Sequence, residues 1–334
     1  MRMLSAIICC DASSLQGLGH LQRCKVLAQV IMAHGGQAHI LCINQGNDDF
    51  SATVAGISFT TVSLDCEFTS LATLVREQQA NLLIVDHYRA DPAYQERLKG
   101  FGLPWLQFDY RHTFDFQARW VVNINPFATH DDYKGLCTAD TRLLLGPQYA
   151  ILRPEFASAP RDTRAELTNV LVMLGGGDDR GVAEALINWL SARNLNVFLV
   201  TTRINPRLLA LQQLAQCREG ISVLVEPADI AGLMRSADLA ISAGGTTTFE
   251  LVSQHVPFLS IALADNQVAL CRAWEELGVS LHLGSHAGLT EASFNEQWAR
   301  IEPRHERARM SEYGIAFCDN AGAERIVKEI ETWN

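Results

Sequence analysis

Nowhere in this sequence do two cysteines stand in a CxxC pair, although nine are scattered from Cys9 to Cys318. Neither a zinc site nor a disulfide framework is indicated. Several of the nine lie in apolar runs, where a free thiol behaves as a small hydrophobe, and a reduced, cytoplasmic chain is expected. Basic residues are the minority, with Lys+Arg 27 against Asp+Glu 37 and a net charge of −10. A general nucleic-acid binder depends on neutralising phosphates, so that class is excluded, while a local site for one small anion is not. No uninterrupted apolar run reaches the roughly 18–20 residues of a spanning helix. The apolar core of "MRMLSAIICCDASS" is too short for a signal peptide and fits a first strand better. Stable membrane insertion is therefore not expected. Internal repeats and low-complexity tracts are missing as well.

What is present is a rhythm. Over 334 residues, 48% of them hydrophobic, apolar runs of strand length alternate with helix-patterned segments, and the length suits two domains. "LSAIICC" leads to a helix from about His20 to Ala33, then come the strand "QAHILCI", the helix "FTSLATLVREQQ" and the strand "NLLIVD". The helix "PAYQERLKGF" and the short strands "PWLQFD" and "WVVNIN" follow. The alternation pauses across "GPQYAILRPEFASAPRDTRAE" and restarts at "NVLVMLGGGDD", running on through "NVFLVTT", "ISVLVEP", "ADLAISAGGTTTFELVSQ", "VPFLSIAL" and "NQVALCRAWEELG". Buried-type strands alternating with helices predict parallel sheets covered on both faces. The expected architecture is α/β, with two Rossmann-like doubly wound domains, 1–155 and 156–334, facing each other across a cleft. The closing "AGAERIVKEIETWN" reads as a helix. Ligands on such sheets bind at the carboxyl ends of strands, so function should concentrate just after each strand.

The first such place is Gln16-Gly17-Leu18-Gly19-His20. Only GxG is present rather than a full dinucleotide fingerprint. Gly17 and Gly19 permit a tight turn and close approach to a ligand. His20 would begin a helix, whose positive end favours the neutral imidazole that a general base near pH 7 requires; a capping or structural histidine is the alternative. Asp11 closes the first strand and could cap this turn or orient His20. Asp86-His87-Tyr88 and Asp109-Tyr110-Arg111-His112 each follow a strand and offer carboxylates and imidazoles to a sugar. In the second half, Gly175-Gly176-Gly177-Asp178 can present backbone amides to phosphate or simply connect strand to helix. "SAGGTTTFE" is the strongest local signal: Gly244 and Gly245 end a strand, Thr246 and Thr247 begin a helix, and a diphosphate could take amides and hydroxyls there. Glu250, one turn on, is placed to bind a ribose diol, and Asn266 and Gln267 lie on the same rim. A helix N-capped by Thr accounts for Thr246 but not for the set.

Taken in order, "DASSLQGLGHLQRC", "LLIVDHY", "VVNINPFA", "GPQYAILRPEF", "MLGGGD" and "ISAGGTTTFELV…P…ALADNQ" resemble the UDP-sugar hydrolases of pseudaminic acid biosynthesis. That family, of GT-B fold, cleaves UDP-2,4-diacetamido-2,4,6-trideoxy-β-L-altropyranose to UDP and free sugar. The resemblance runs from about residue 5 to 325. It implies that His20 activates water for inverting attack at the anomeric carbon. It also implies that Gly176, Gly244–Thr247, Glu250, Asn266 and Gln267 hold UDP. Asp11, Gly17, Gly19, Tyr88, Asn125, Tyr149 and Arg153 are then expected on the sugar side. The expected partner is the UDP-sugar, bound by a monomer with no cofactor and no metal, and the resemblance implies a product that feeds a surface or flagellar glycan. Two positions depart from the family pattern: Cys10, where an Arg is common, and Asp109-Tyr110, where paired acids are often seen. Both bear on the exact sugar more than on the reaction. A GT-B glycosyltransferase passing the sugar to an acceptor, and a non-catalytic nucleotide-sugar-binding protein, are the other readings.

Overall fold

The structure is a computed structural model, and it describes residues 3–12, 18–44, 49–50, 52–110, 113–157 and 163–333. Two compact units divide it, Met1–Pro154 with Asn320–Asn334, and Glu155–Asp319. The last fifteen positions belong to the first unit. The cause is the amphipathic helix Gly322–Glu331, whose Ala323, Ile326, Val327 and Ile330 are buried in the first unit's core.

The first unit is a sheet of β1 (Ser5–Asp11), β2 (Gln37–Ile43), β3 (Ser58–Val62), β4 (Leu82–Asp86), β5 (Trp105–Phe108), β6 (Trp120–Asn123) and β7 (Arg142–Leu145). Its spatial order is β3-β2-β1-β4-β5-β6-β7, and every pairing is parallel. Side chains of a strand alternate between faces, so Ala6, Ile8 and Cys10 enter one core while Ile7 and Cys9 enter the other. Over the first face lies α1 (Gly19–Ala33), which buries Leu21, Cys24, Leu27, Ala28 and Ile31 at helical spacing. Each of the larger of these contributes roughly 1.5–3 kcal/mol by leaving water. The opposite core takes Leu71 and Leu74 of α2 (Glu67–Glu77) and Tyr94 and Leu98 of α3 (Pro92–Lys99).

The second unit repeats the plan with β8 (Asn169–Met173), β9 (Asn196–Thr201), β10 (Ile221–Val225), β11 (Leu239–Ala243), β12 (Phe258–Ala262) and β13 (Ser280–Ser285). They run β10-β9-β8-β11-β12-β13, again all parallel. In each sheet the order reverses once, between β1 and β4 and between β8 and β11. Those switch points are where an open α/β sheet leaves a crevice for ligand.

Candidate functional site

At the first switch point, His20 stands in the opening turn of α1, and Asp86 ends the neighbouring β4. The strand pairing sets Asp86 beside Cys10, which brings its carboxylate under the start of α1. His20 Nδ1 lies 2.9 Å from Asp86 Oδ1. Arg23, one helical turn beyond His20, donates to both carboxylate oxygens through Nε and Nη2. Tyr110 donates its hydroxyl to Oδ1 at 2.6 Å, and the Cys24 thiol approaches Oδ2 at 3.5 Å. Asp86 is fully buried. Burial opposes its ionisation, but the Arg23 charge and the His20 hydrogen bond outweigh that and hold its carboxyl below the usual range.

Arg23 Nη2 also lies 2.8 Å from His20 Nδ1, so Nη2, Nδ1 and Oδ1 form a compact triangle. The arginine can only donate, so an Nδ1 that accepts from it leaves the ring proton on Nε2. An Nδ1 that instead carries the proton donates to Asp86 and leaves Nε2 as the acceptor. The imidazole is held edge-on by Tyr88, centroids 4.9 Å apart, and by Tyr110 at 5.8 Å. The Arg23 guanidinium lies 5.1 Å from both the Phe108 and Tyr110 ring centroids. An imidazole with one nitrogen fixed on a buried carboxylate and the other left basic is equipped to accept a proton from water or from a hydroxyl.

Asp11 does not reach His20. Its carboxylate is taken by Arg89, at 2.7 and 3.1 Å, and Arg89 also binds the buried Glu67 at 2.8 Å. The carboxylate hydrogen-bonded to His20 is that of Asp86, not Asp11. Gly17, with Arg111 and His112, lies outside the described residues. Gly19 opens α1, and the site of a β-carbon there has no neighbour within 4 Å. Tyr88 is 63% exposed beside the imidazole. Asn125 is anchored by Asn123 Oδ1, which accepts from its side-chain amide at 2.8 Å and from its backbone at 3.1 Å. Farther along, Tyr149 packs against the first core, and the Arg153 carbonyl accepts from Asn320 at 3.4 Å.

At the second switch point, Gly244 and Gly245 follow β11, and the helix Thr247–Ser253 begins directly after. A β-carbon on Gly244 would press on Cys271 Sγ, so something must shift to admit one. At Gly245 it would meet nothing within 4 Å. The amides of Thr246 and Thr247 have no acceptor among the described residues. Thr246 makes no side-chain cap; instead Thr248 ties the turn, donating to the Gly245 carbonyl at 2.8 Å and accepting from Trp274 at 2.9 Å. Glu250 is half-buried one turn on. Asn266 is exposed, while Gln267 accepts from the Leu263 amide at 2.9 Å and so shapes the rim. On the other strand of the switch, Gly175 takes φ +88°, and the Gly176 carbonyl accepts from Thr202. Asp179 then fastens this turn through Asn205 at 2.9 Å.

Among the strongest contributors here, Arg23 was not legible in sequence, and Asp86 was legible only as one member of a strand-end cluster. The available signal was the i, i+3 spacing of His20 and Arg23 on one helix face. Its meaning depends on knowing which strand lies beneath.

Two doubly wound parallel sheets, each with a ligand-type turn at its switch point, define the GT-B class. No family model matches the chain. In fold, it is similar to Acinetobacter baumannii MurG, with a TM-score of 0.72 and 15% identity over 98% of this chain and 99% of that one. It is also similar to the spinosyn rhamnosyltransferase SpnG in complex with thymidine diphosphate, with a TM-score of 0.63 and 15% identity over 98% and 100% of the two chains. In sequence, it is 25% identical over 262 residues to the UDP-2,4-diacetamido-2,4,6-trideoxy-beta-L-altropyranose hydrolase of Campylobacter jejuni, covering 77% of this chain and 91% of that protein. The Helicobacter pylori pseudaminic acid cytidylyltransferase and UDP-2,4-diacetamido-2,4,6-trideoxy-beta-L-altropyranose hydrolase is 24% identical over 278 residues, or 81% of this chain and 47% of that longer protein. The chain is a GT-B protein related in sequence to these UDP-sugar hydrolases. Among the described residues, no helix is long and apolar enough to cross a membrane.

Proposed function

We propose that this protein hydrolyses a UDP-linked 2,4-diacetamido-2,4,6-trideoxy sugar to UDP and free sugar, with inversion, as a step of pseudaminic acid biosynthesis. The observation that supports the reading is the His20–Asp86 pair at the end of the first sheet, which leaves Nε2 of His20 basic when Nδ1 carries the proton. In this reading Nε2 takes the proton of a water attacking the anomeric carbon from the face opposite UDP, as the C1–O bond breaks through an oxocarbenium-like state. A general base of this kind supplies about 10²–10⁴-fold. The second unit seats UDP: the Thr246 and Thr247 amides meet the diphosphate, where they would stabilise charge on the departing group, and Glu250 takes the ribose. UDP is a good leaving group, so no strong general acid is assigned.

The fold likeness to MurG and to a rhamnosyltransferase supports a second reading, in which His20 deprotonates an acceptor hydroxyl instead of water. One assay separates the two. UDP release is measured from UDP-2,4-diacetamido-2,4,6-trideoxy-β-L-altrose without any acceptor, for wild type and for folded His20→Ala. Release that the substitution lowers at least about a hundredfold supports the hydrolase. Wild-type protein that binds the compound and leaves it intact overturns it.

A further inference from the structure

Beyond Asp86 on the carboxyl edge of the first sheet, β5 and β6 end on a second set of buried polar groups. Asp109 follows β5, Asn123 closes β6, and Tyr133 closes the short helix His130–Tyr133; all three are buried. The Asp109 amide donates to the Val122 carbonyl at 2.8 Å, which sets Asp109 beside Asn123. The next residue, Tyr110, is the one that reaches Asp86 and flanks the His20 ring. β6 lies two strands from β4, roughly 10 Å at the usual strand spacing, a span that a hexose with its ring substituents covers.

These groups form a hydrogen-bond relay that runs in one sense only. The Tyr133 hydroxyl donates to Asp109 Oδ2 at 2.5 Å. Burial and that carboxylate push the phenol up, so it keeps the proton it donates. One end of the Asn123 amide stands 2.8 Å from the Tyr133 oxygen and 3.5 Å from Asp109 Oδ2; facing acceptors, it is the nitrogen. The oxygen then points the other way and accepts from the Asn125 backbone N–H at 3.1 Å. A backbone N–H can only donate, so the two ends of the relay agree on how Asn123 is turned. The same oxygen takes the Asn125 side-chain amide at 2.8 Å, which puts Nδ2 of Asn125 inward and turns its Oδ1 away from the relay. Among the described residues, Asn125 Oδ1 has no hydrogen-bond partner, and the residue is half-buried. Pro126 follows, and the Ala128 amide returns to the Asn125 carbonyl at 3.1 Å, closing a turn that fixes the Asn125 backbone. The turn accounts for the backbone bonds. It gives no reason to hold the side-chain amide as well, with a buried tyrosine and carboxylate behind it.

From the geometry we infer that Asn125 Oδ1 accepts a hydrogen bond from an N–H or O–H of the sugar, and that Asn123 is the positioning residue that keeps this oxygen, rather than the amide nitrogen, toward the substrate. An unconstrained asparagine offers either end of its amide and selects nothing; one whose nitrogen is already taken selects a donor. The assignment rests on the reading of the protein as a hydrolase of a diacetamido UDP-sugar and adds a specificity determinant to it. The 2,4-diacetamido-2,4,6-trideoxy pattern leaves the sugar ring three donors, the two amide N–H groups and the hydroxyl on C3, and Asn125 takes one of them. It acts on substrate away from the reacting carbon, while Tyr133 and Asp109 act only through Asn123.

The experiment measures kcat/KM for the diacetamido UDP-sugar and for three analogues, each lacking one donor: acetoxy for the 2-acetamido group, acetoxy for the 4-acetamido group, and fluorine for the 3-hydroxyl. Wild type should favour the parent over at least one analogue by about five- to tenfold, the worth of one neutral hydrogen bond. Asn125→Leu should lower kcat/KM for the parent by that factor and leave the same analogue nearly unchanged, so that this one preference collapses. Asn123→Ala, which frees the Asn125 amide to turn, should shrink the same preference with Asn125 intact. Equal loss on all four substrates in Asn125→Leu, or loss on none, overturns the inference, and Asn125→Ala repeats the test if the leucine variant does not fold. A second readout needs no turnover: calorimetric affinity of His20→Ala protein for the intact UDP-sugar, its analogues and UDP alone, with and without Asn125→Leu. A preference for one donor that Asn125→Leu removes, in a wild type that cleaves nothing, keeps the role of Asn125 and sinks the hydrolase. Turnover without any such preference keeps the hydrolase and sinks the role of Asn125. Asn125→Leu that weakens UDP alone as much as the UDP-sugar also overturns the inference, and no binding of the UDP-sugar sinks both readings.

Discussion

His20 and Asp86 are separated by 66 positions in the chain, yet Nδ1 and Oδ1 stand 2.9 Å apart. The strand bearing Asp86 pairs directly with the strand that precedes His20, so the contact is a product of sheet order. Asp86 is also the point where Arg23 and Tyr110 converge, which makes this carboxylate the organiser of the site.

Replacing that organiser without changing its shape should separate chemistry from binding. Asp86→Asn can donate to Nδ1 and thereby move the proton to Nε2, leaving no base. We expect kcat for UDP release to fall roughly 10²–10⁴-fold, as in other base–carboxylate pairs, with KM changed only a few-fold. A variant that keeps wild-type kcat would remove Asp86 from the mechanism.

Arg23→Met should act chiefly on stability. It strips a buried carboxylate of its main cationic partner, a loss of about 3–5 kcal/mol for pairs of this kind, readable as a lowered midpoint in urea. Arg23→Lys should recover part of this but not all, because a single ammonium cannot span both oxygens. Equal midpoints for wild type and Arg23→Met would show that Asp86 is satisfied without it.

The two glycines of the second turn make opposite predictions. Gly244→Ala places a methyl against Cys271 Sγ and the Gln267 carbonyl, and overpacking of this sort costs about 1–3 kcal/mol; adding Cys271→Ala should restore part of it. Gly245→Ala meets open space, so the fold should be unaffected while UDP affinity, measured calorimetrically, falls at least tenfold. Unaltered UDP binding in Gly245→Ala would move the diphosphate elsewhere.

Stability should depend on pH in two adjoining windows. His87 is depressed to about 4 by burial, from an ordinary 6.5. The unfolded chain therefore binds the extra proton first, and stability present above pH 6.5 is lost as pH falls toward 4, by an amount on the order of 3 kcal/mol. Asp86 is also depressed, from 3.8, and its contribution is lost only below that, as pH falls through its folded value. Chemical unfolding of wild type and His87→Phe at pH 7, 5.5 and 4 checks the first window. Parallel curves for the two proteins would show that His87 does not remain neutral.

Much of the architecture is legible in the sequence. "QAHILCI" reads as a strand and is β2 over Gln37–Ile43, and the helix expected from about His20 is Gly19–Ala33. Such segments carry their own signal, an apolar period that repeats within a few residues. The edge strand β3, "SFTTV", was not legible because none of its five residues is fully buried, and β7, "RLLL", is apolar but too short to show a period. Gly244 and Thr248 illustrate the same limit within the second turn. The sequence marks a glycine and a row of hydroxyls, but not that Cys271 closes on the first and Trp274 takes the last.

The sequence by itself determined two βα-repeating halves, the glycine turns that end their central strands and the imidazole placed at the first of them, since each is written in neighbouring residues. Which carboxylate meets that imidazole was decided only by tertiary structure. Asp11 is nearer along the chain and Asp86 far away, yet the crossover that lays β4 beside β1 delivers Asp86, while Arg89 claims Asp11. The same holds for the closing helix Gly322–Glu331, whose apolar face was readable but whose partner was not. Burial rewards any apolar surface of the right shape, and only the assembled fold says which one is within reach.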